Sequence, residues 1–139
     1  MKKNEKEAFD LVMKMMAIPG TSGEEGAIAE FVKAQLIAAG ADAKAIRFDN
    51  AHKRTPERGE VGNLIFKLPG TKRRPRRMLM AHLDTVPICV GSQPVRKGNL
   101  VRSANPKTGL GADDRAGAAV VLNAALRILK EDLPHPPLT

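Results

Sequence analysis

Apolar side chains recur at helical spacing between Glu5 and Ala17, where Ala8, Phe9, Leu11, Val12, Met15 and Met16 are set among Lys and Glu. A 3.6-residue repeat gathers them on one face, so the segment is read as an amphipathic helix. Pro19-Gly20 ends it. Ser22, with Glu25 three residues on, has the form of a capping box that opens a second helix. That helix would bury Ile28, Ala29, Phe31, Val32, Leu36 and Ile37, and Gly40 would stop it. The pattern then shortens. Residues 43–48 predict a strand and residues 49–60, with Pro56 and Gly59, a loop. Two β-rich runs at 63–68 and 78–82 predict a hairpin through Pro69-Gly70-Thr71, and 95–101, broken by Gly98-Asn99, a smaller one. Residues 109–113 read as a loop. Arg115 to Lys130 predicts a third helix with Val120, Val121, Ala124, Leu126 and Leu129 on its buried side. The final Leu133-Pro134-His135-Pro136-Pro137-Leu138-Thr139 cannot be helical, and its last three residues have the character of a strand beginning. Helices and strands that intermix in this way indicate an α/β class.

Composition agrees with a folded chain. Of 139 residues, 42% are hydrophobic and 27% charged, a balance that a disordered tail does not have. Aromatic residues are 3%, without Trp or Tyr, so the core must rest on Leu, Ile, Val, Ala and Met. The single Cys89 excludes an internal disulfide and fits a reducing compartment. The charged start Met1-Lys2-Lys3-Asn4-Glu5 leads into no apolar signal region, and no run of about 18 apolar residues is present. The expectation is a soluble, cytoplasmic protein with no membrane partner. The net charge is +8, and the excess lies between Lys44 and Lys107, peaking at Lys72-Arg73-Arg74-Pro75-Arg76-Arg77. Such asymmetry raises an anionic partner, nucleic acid above all. With no Tyr or Trp to stack on bases and no binding motif, the run reads better as a solvated turn.

Two places could carry chemistry. The run Met78-Leu79-Met80-Ala81-His82-Leu83-Asp84-Thr85-Val86-Pro87 is an apolar segment that ends in an imidazole and a carboxylate two residues apart. On a strand these share a side, and a strand exit is where α/β proteins bind ligands. Neutral imidazole is a good zinc ligand, and a neighbouring carboxylate can fix its ring through the other N–H. The alternative is an ordinary strand end. In Thr108-Gly109-Leu110-Gly111-Ala112-Asp113-Asp114-Arg115-Ala116-Gly117, two carboxylates open a helix. One can serve as the cap. The second is then free for another role, such as bridging two divalent metals.

Taken together, His-Leu-Asp-Thr-Val-Pro and, some thirty residues later, Gly-Ala-Asp-Asp-Arg-Ala-Gly resemble the dizinc exopeptidase family of peptidase T, glutamate carboxypeptidase, aminoacylase and succinyl-diaminopimelate desuccinylase. Ile18-Pro19-Gly20-Thr21-Ser22-Gly23-Glu24-Glu25 is similar to that family's early helix–turn–helix, and Thr-Gly-Leu-Gly-Ala-Asp-Asp is nearest the peptidase T branch. The resemblance implies a three-layer α/β/α domain with a mixed, largely parallel sheet. It implies hydrolysis of the peptide bond of a small peptide by a water held between two zinc ions. His82 would be a zinc ligand, Asp84 would orient its ring, and Asp113 would bridge the zincs with its carboxylate, its peptide to Asp114 being cis. The family's glutamate base, its remaining ligands and its inserted lid domain have no counterparts among these residues. Residues 1–139 are therefore expected to be the N-terminal part of a catalytic domain, inactive alone and, with a sheet cut midway, prone to self-association. The alternative is an interaction fragment without catalysis.

The remaining candidates read as ordinary. His52 and His135 are expected at the surface. Cys89 reads as a buried thiol and the methionines as core filling. Gly109, Gly111 and Gly117 make no dinucleotide or phosphate loop.

Overall fold

A computed structural model describes residues 2–139. Three α-helices and four short strands follow in the order α1 (Lys3–Ala17), α2 (Gly26–Ala38), β1 (Ile46–Phe48), β2 (Leu64–Phe66), β3 (Pro94–Lys97), β4 (Leu100–Ser103) and α3 (Ala112–Glu131). Single 3-10 turns occur at Ala43–Ala45, Ala51–Arg54 and Pro87–Cys89. None of the described helices is long and apolar enough to cross a membrane.

The helices form where the apolar repeat places them. Leu11, Met15 and Met16 of α1 and Ile28, Ala29, Val32 and Leu36 of α2 are buried. Gly40 ends α2 at φ +100°, and the Ala41 N–H bonds to Leu36 O and the Gly40 N–H to Ile37 O, a Schellman closure. The helix α3 packs along α1, with α2 beside it. Its buried face is Arg115, Ala118, Ala119, Leu122 and Leu126. The expected face is therefore displaced: Val120 is 70% exposed, because the two small alanines, not the valine, are the residues that let α1 approach. Ile46, Leu64 and Phe66 of the β1–β2 pair close this core from the side.

The sheet differs from the expectation. The class is mixed α/β, but the described strands form two separate antiparallel pairs, β1–β2 and β3–β4, and no three-layer, largely parallel sheet. The β3–β4 hairpin falls where Gly98-Asn99 predicted it, with Lys97 opposite Leu100. The hairpin between 63–68 and 78–82 is absent. Each run instead bonds to the last residues of the chain. Leu68 and Leu138 exchange both backbone bonds, at 3.0 and 2.9 Å, in an antiparallel bridge. Arg77 and Leu79 N–H groups donate to Pro137 O and Thr139 O, both at 2.9 Å, in a parallel one. Residues 137–139 thus separate the two runs, pairing as the beginning of a strand would.

Two histidines and one cap also depart from the reading. His135 is buried, its backbone N–H bonded to Thr71 Oγ1, and His52 is half-buried. Glu25, not Ser22, is the residue before α2, without a side-chain cap, and its carboxylate accepts from the Gly23 N–H at 2.8 Å.

Candidate functional site

The extended segment after Arg77 carries His82 and Asp84 toward the start of α3. It is tied to the α1–α2 turn, where Thr85 N–H and Oγ1 both donate to Gly20 O, at 2.9 and 3.3 Å. The start of α3 is irregular. Gly111 is left-handed at φ +76°, the Asp113–Asp114 peptide is cis, and both aspartates have non-helical dihedrals, so the regular helix begins at Arg115. Asp114 is the cap, accepting from the Gly117 N–H at 3.1 Å. Asp113 has no part in capping and projects its side chain, 96% exposed, toward His82.

The three residues singled out by the sequence come together. His82 Nδ1 lies 2.9 Å from Asp84 Oδ1, and His82 Nε2 lies 3.3 Å from Asp113 Oδ1. An ionised carboxylate only accepts, so in the protonated ring both nitrogens donate, Nδ1 to Asp84 and Nε2 to Asp113; the shorter bond at Nδ1 makes Nε2 the nitrogen that gives up its proton when the ring is neutral. Burial pulls the His82 pKa down, but the hydrogen bonds and charge of Asp84, with Asp113, outweigh it and hold the imidazole above its ordinary value. Asp84 is held below the usual carboxylate range, chiefly by the Ser22 hydroxyl donating to its second oxygen and then, against burial, by His82. These residues line a cleft of about 310 Å³ with Thr85, Val86, Cys89, Leu110 and Gly111. A larger open hollow of about 570 Å³ along residues 101–110 has no imidazole, thiol or carboxylate in its lining. Cys89 is half-buried at the cleft.

Two residues behind the site escaped the sequence reading. Ser22 was matched to a cap because its spacing to Glu25 satisfies that motif. Arg115 is fully buried, and its Nη1 donates to Met15 O at 2.6 Å and Ile18 O at 3.2 Å at the C-terminal end of α1. Burial lowers its pKa against the opposing attraction of Asp84. Its signal was present in the sequence: a basic residue in the first turn of a helix opposes the dipole and calls for a local reason.

Among the described residues no three His, Cys, Asp or Glu side chains are gathered as a metal-holding group. Glu24 accepts from the Thr21 hydroxyl at 2.7 Å, and Glu131 lies at the opposite end of α3 from Asp113, where it holds Arg127 through two bonds of 2.9 Å.

The sequence profile of peptidase family M28 matches residues 63–139. The chain is 32% identical over 129 residues to the uncharacterized protein YqjE of Bacillus subtilis, a match that covers 93% of this chain and 33% of that protein. It superposes on the crystal structure of a tripeptidase from Staphylococcus aureus with a TM-score of 0.83 at 27% identity, over 96% of this chain and 35% of that one. Against aminopeptidase PepT from Bacillus cereus the TM-score is 0.84 at 25% identity, again over 96% and 35%. The chain therefore spans about a third of the length of each of these relatives.

Proposed function

This chain belongs to peptidase family M28, and from that premise we propose that His82 and Asp113 are two protein donors of a zinc site for hydrolysing the peptide bond of a small peptide. The observation that carries the reading is the 3.3 Å between His82 Nε2 and Asp113 Oδ1, with Nδ1 already held by Asp84. A tetrahedral zinc with ligand bonds of about 2.0–2.2 Å separates two of its ligand atoms by roughly 3.4 Å. The spacing fits one ion between the two side chains. When bound, zinc supplies a Lewis acid that polarises a carbonyl and lowers the pKa of water.

The chain's own residues prepare that site. Asp84 fixes the tautomer and angle of the His82 ring, as a carboxylate behind a ligating histidine does. Asp114 takes over the helix cap, which frees the Asp113 carboxylate, exposed at the cleft, to act as a metal donor. The substrate class follows from the tripeptidase and aminopeptidase to which the fold is similar, and a cleft of about 310 Å³ suits a small peptide. Residues 1–139 would form the N-terminal part of such a catalytic domain. A catalytic zinc takes three protein ligands and a base. His82 and Asp113 provide two donors, Glu24 is engaged by Thr21 and Glu131 stands at the far end of α3, so these residues alone are proposed to hold zinc weakly and to leave peptides intact.

Competition with a chromophoric chelator tests the donors. Zinc affinity should drop at least about tenfold in both His82→Ala and Asp113→Asn, while a tripeptide incubated with the zinc-loaded chain stays uncleaved. Zinc affinity that neither substitution changes would remove both residues from the site.

A further inference from the structure

We infer that Ser22 is a positioning residue for His82: its hydroxyl, presented by the α1–α2 turn that Arg115 clamps, fixes the Asp84 carboxylate that in turn fixes the imidazole. The consequence for metal rests on His82 being a donor; the geometry of the inference does not.

Both oxygens of Asp84 are engaged. Oδ1 faces His82 Nδ1 at 2.9 Å, and Oδ2 accepts from the Ser22 hydroxyl. A carboxylate held by one oxygen can swing about its terminal torsion; held by two, it presents a fixed lone pair to the ring. Ser22 is exposed and gives no cap to α2, so Asp84 is the partner its hydroxyl serves.

The turn that presents Ser22 is fastened on both sides. Thr85, next to Asp84, holds Gly20 O through two bonds. From the other side Arg115 holds the carbonyls of Met15 and Ile18, where the end of a helix attracts a cation. A Cβ at Gly20 would stand 2.9 Å from Arg115 Nη2, so a larger residue there would push the guanidinium aside. Arg115 is completely buried, and its Nε and Nη2 have no hydrogen-bond partner. A cation so placed is a costly way to fill space. Its place in the fold accounts for it, because Arg115 lies two residues beyond Asp113. The connections close a ring from Asp113 through Arg115, Ile18, Ser22, Asp84 and His82 back to Asp113, so the turn sets the distance between the two proposed donors.

The test is made on the metal-free protein and then with zinc alone as the probe. Nitrogen-15 NMR of the His82 ring, recorded above its titration midpoint where the imidazole is neutral, should show a single Nδ1–H tautomer in the wild type and a mixture of tautomers in Ser22→Ala. Zinc affinity should fall about three- to tenfold in Ser22→Ala, less than for loss of a direct outer-shell carboxylate, and Ser22→Thr should restore both readouts. Ser22→Cys, close in shape but a weaker donor, repeats the comparison should the alanine variant not fold. A wild-type tautomer retained in Ser22→Ala overturns the inference, as does a threonine variant no better than alanine. Absence of zinc binding by the wild type would instead overturn the donor reading, and the tautomer measurement would still decide the role of Ser22.

Discussion

Asp113 and Asp114 are chemically identical and adjacent, and their neighbours separate them. Asp114 reaches the Gly117 N–H and closes the helix start, while Asp113, on the other side of the cis peptide, meets an imidazole 3.3 Å away. That one aspartate would cap was legible in the residue types; that Asp113 would be the free one came from the family resemblance, because two adjacent aspartates are alike in the sequence itself. The His82–Asp84 pair carries a pH signature. His82 takes up its proton more readily in the folded protein than its ordinary pKa of 6.5 allows. A raised folded value means that protonation favours the fold below about pH 6.5 and that this contribution is lost as pH rises through the folded value. The ring is half-exposed, so the effect on stability is small. In an NMR titration of the metal-free protein the His82 midpoint should lie above that of an ordinary histidine, and Asp84→Asn should bring it down. A wild-type midpoint at or below the ordinary value would contradict the pairing. Because zinc needs the neutral ring, its affinity should weaken as pH falls through the same midpoint.

At the scale of elements, the helix pair α1–α3 holds the site's two halves in place. Met15 is completely buried between them, and Met15→Ala should destabilise the fold by about 2–5 kcal/mol through the cavity it leaves. A urea midpoint unchanged from the wild type would show that this contact is not part of the core. The helices were legible because their periodicity and stops are local: six apolar positions in α1, a Pro-Gly stop, Gly40 at a positive φ. The sheet was not. The runs at 63–68 and 78–82 look like neighbours from their apolar residues, yet their partner, 137–139, lies some sixty residues on, and pairing across that distance leaves no mark in either run. Ser22 shows a second limit. A serine three residues before a glutamate satisfies a cap motif, and only the folded turn reveals that its hydroxyl faces Asp84. The H-x-D pair and the double aspartate were found because their chemistry resides in the residue types themselves.

Across the whole molecule, charge and apolar exposure concentrate near one place. Lys72 to Arg77 are exposed, and Arg76 turns back to Leu138 O at 2.7 Å. Directly after this run Met78, Leu79 and Met80 are 66, 48 and 76% exposed. Contiguous apolar residues on an extended segment favour association. Light scattering at high concentration should therefore give a mass above 15.0 kDa, lowered by Met78→Lys with Met80→Lys; a clean monomer would contradict this. The central claim is that His82 and Asp113 share one metal ion, and the most direct measurement is a zinc-edge anomalous difference map from a zinc-soaked crystal. The account predicts a peak about 2.0–2.2 Å from both His82 Nε2 and an Asp113 carboxylate oxygen. A peak that touches only one of them, or zinc found elsewhere with this cleft empty, would contradict it.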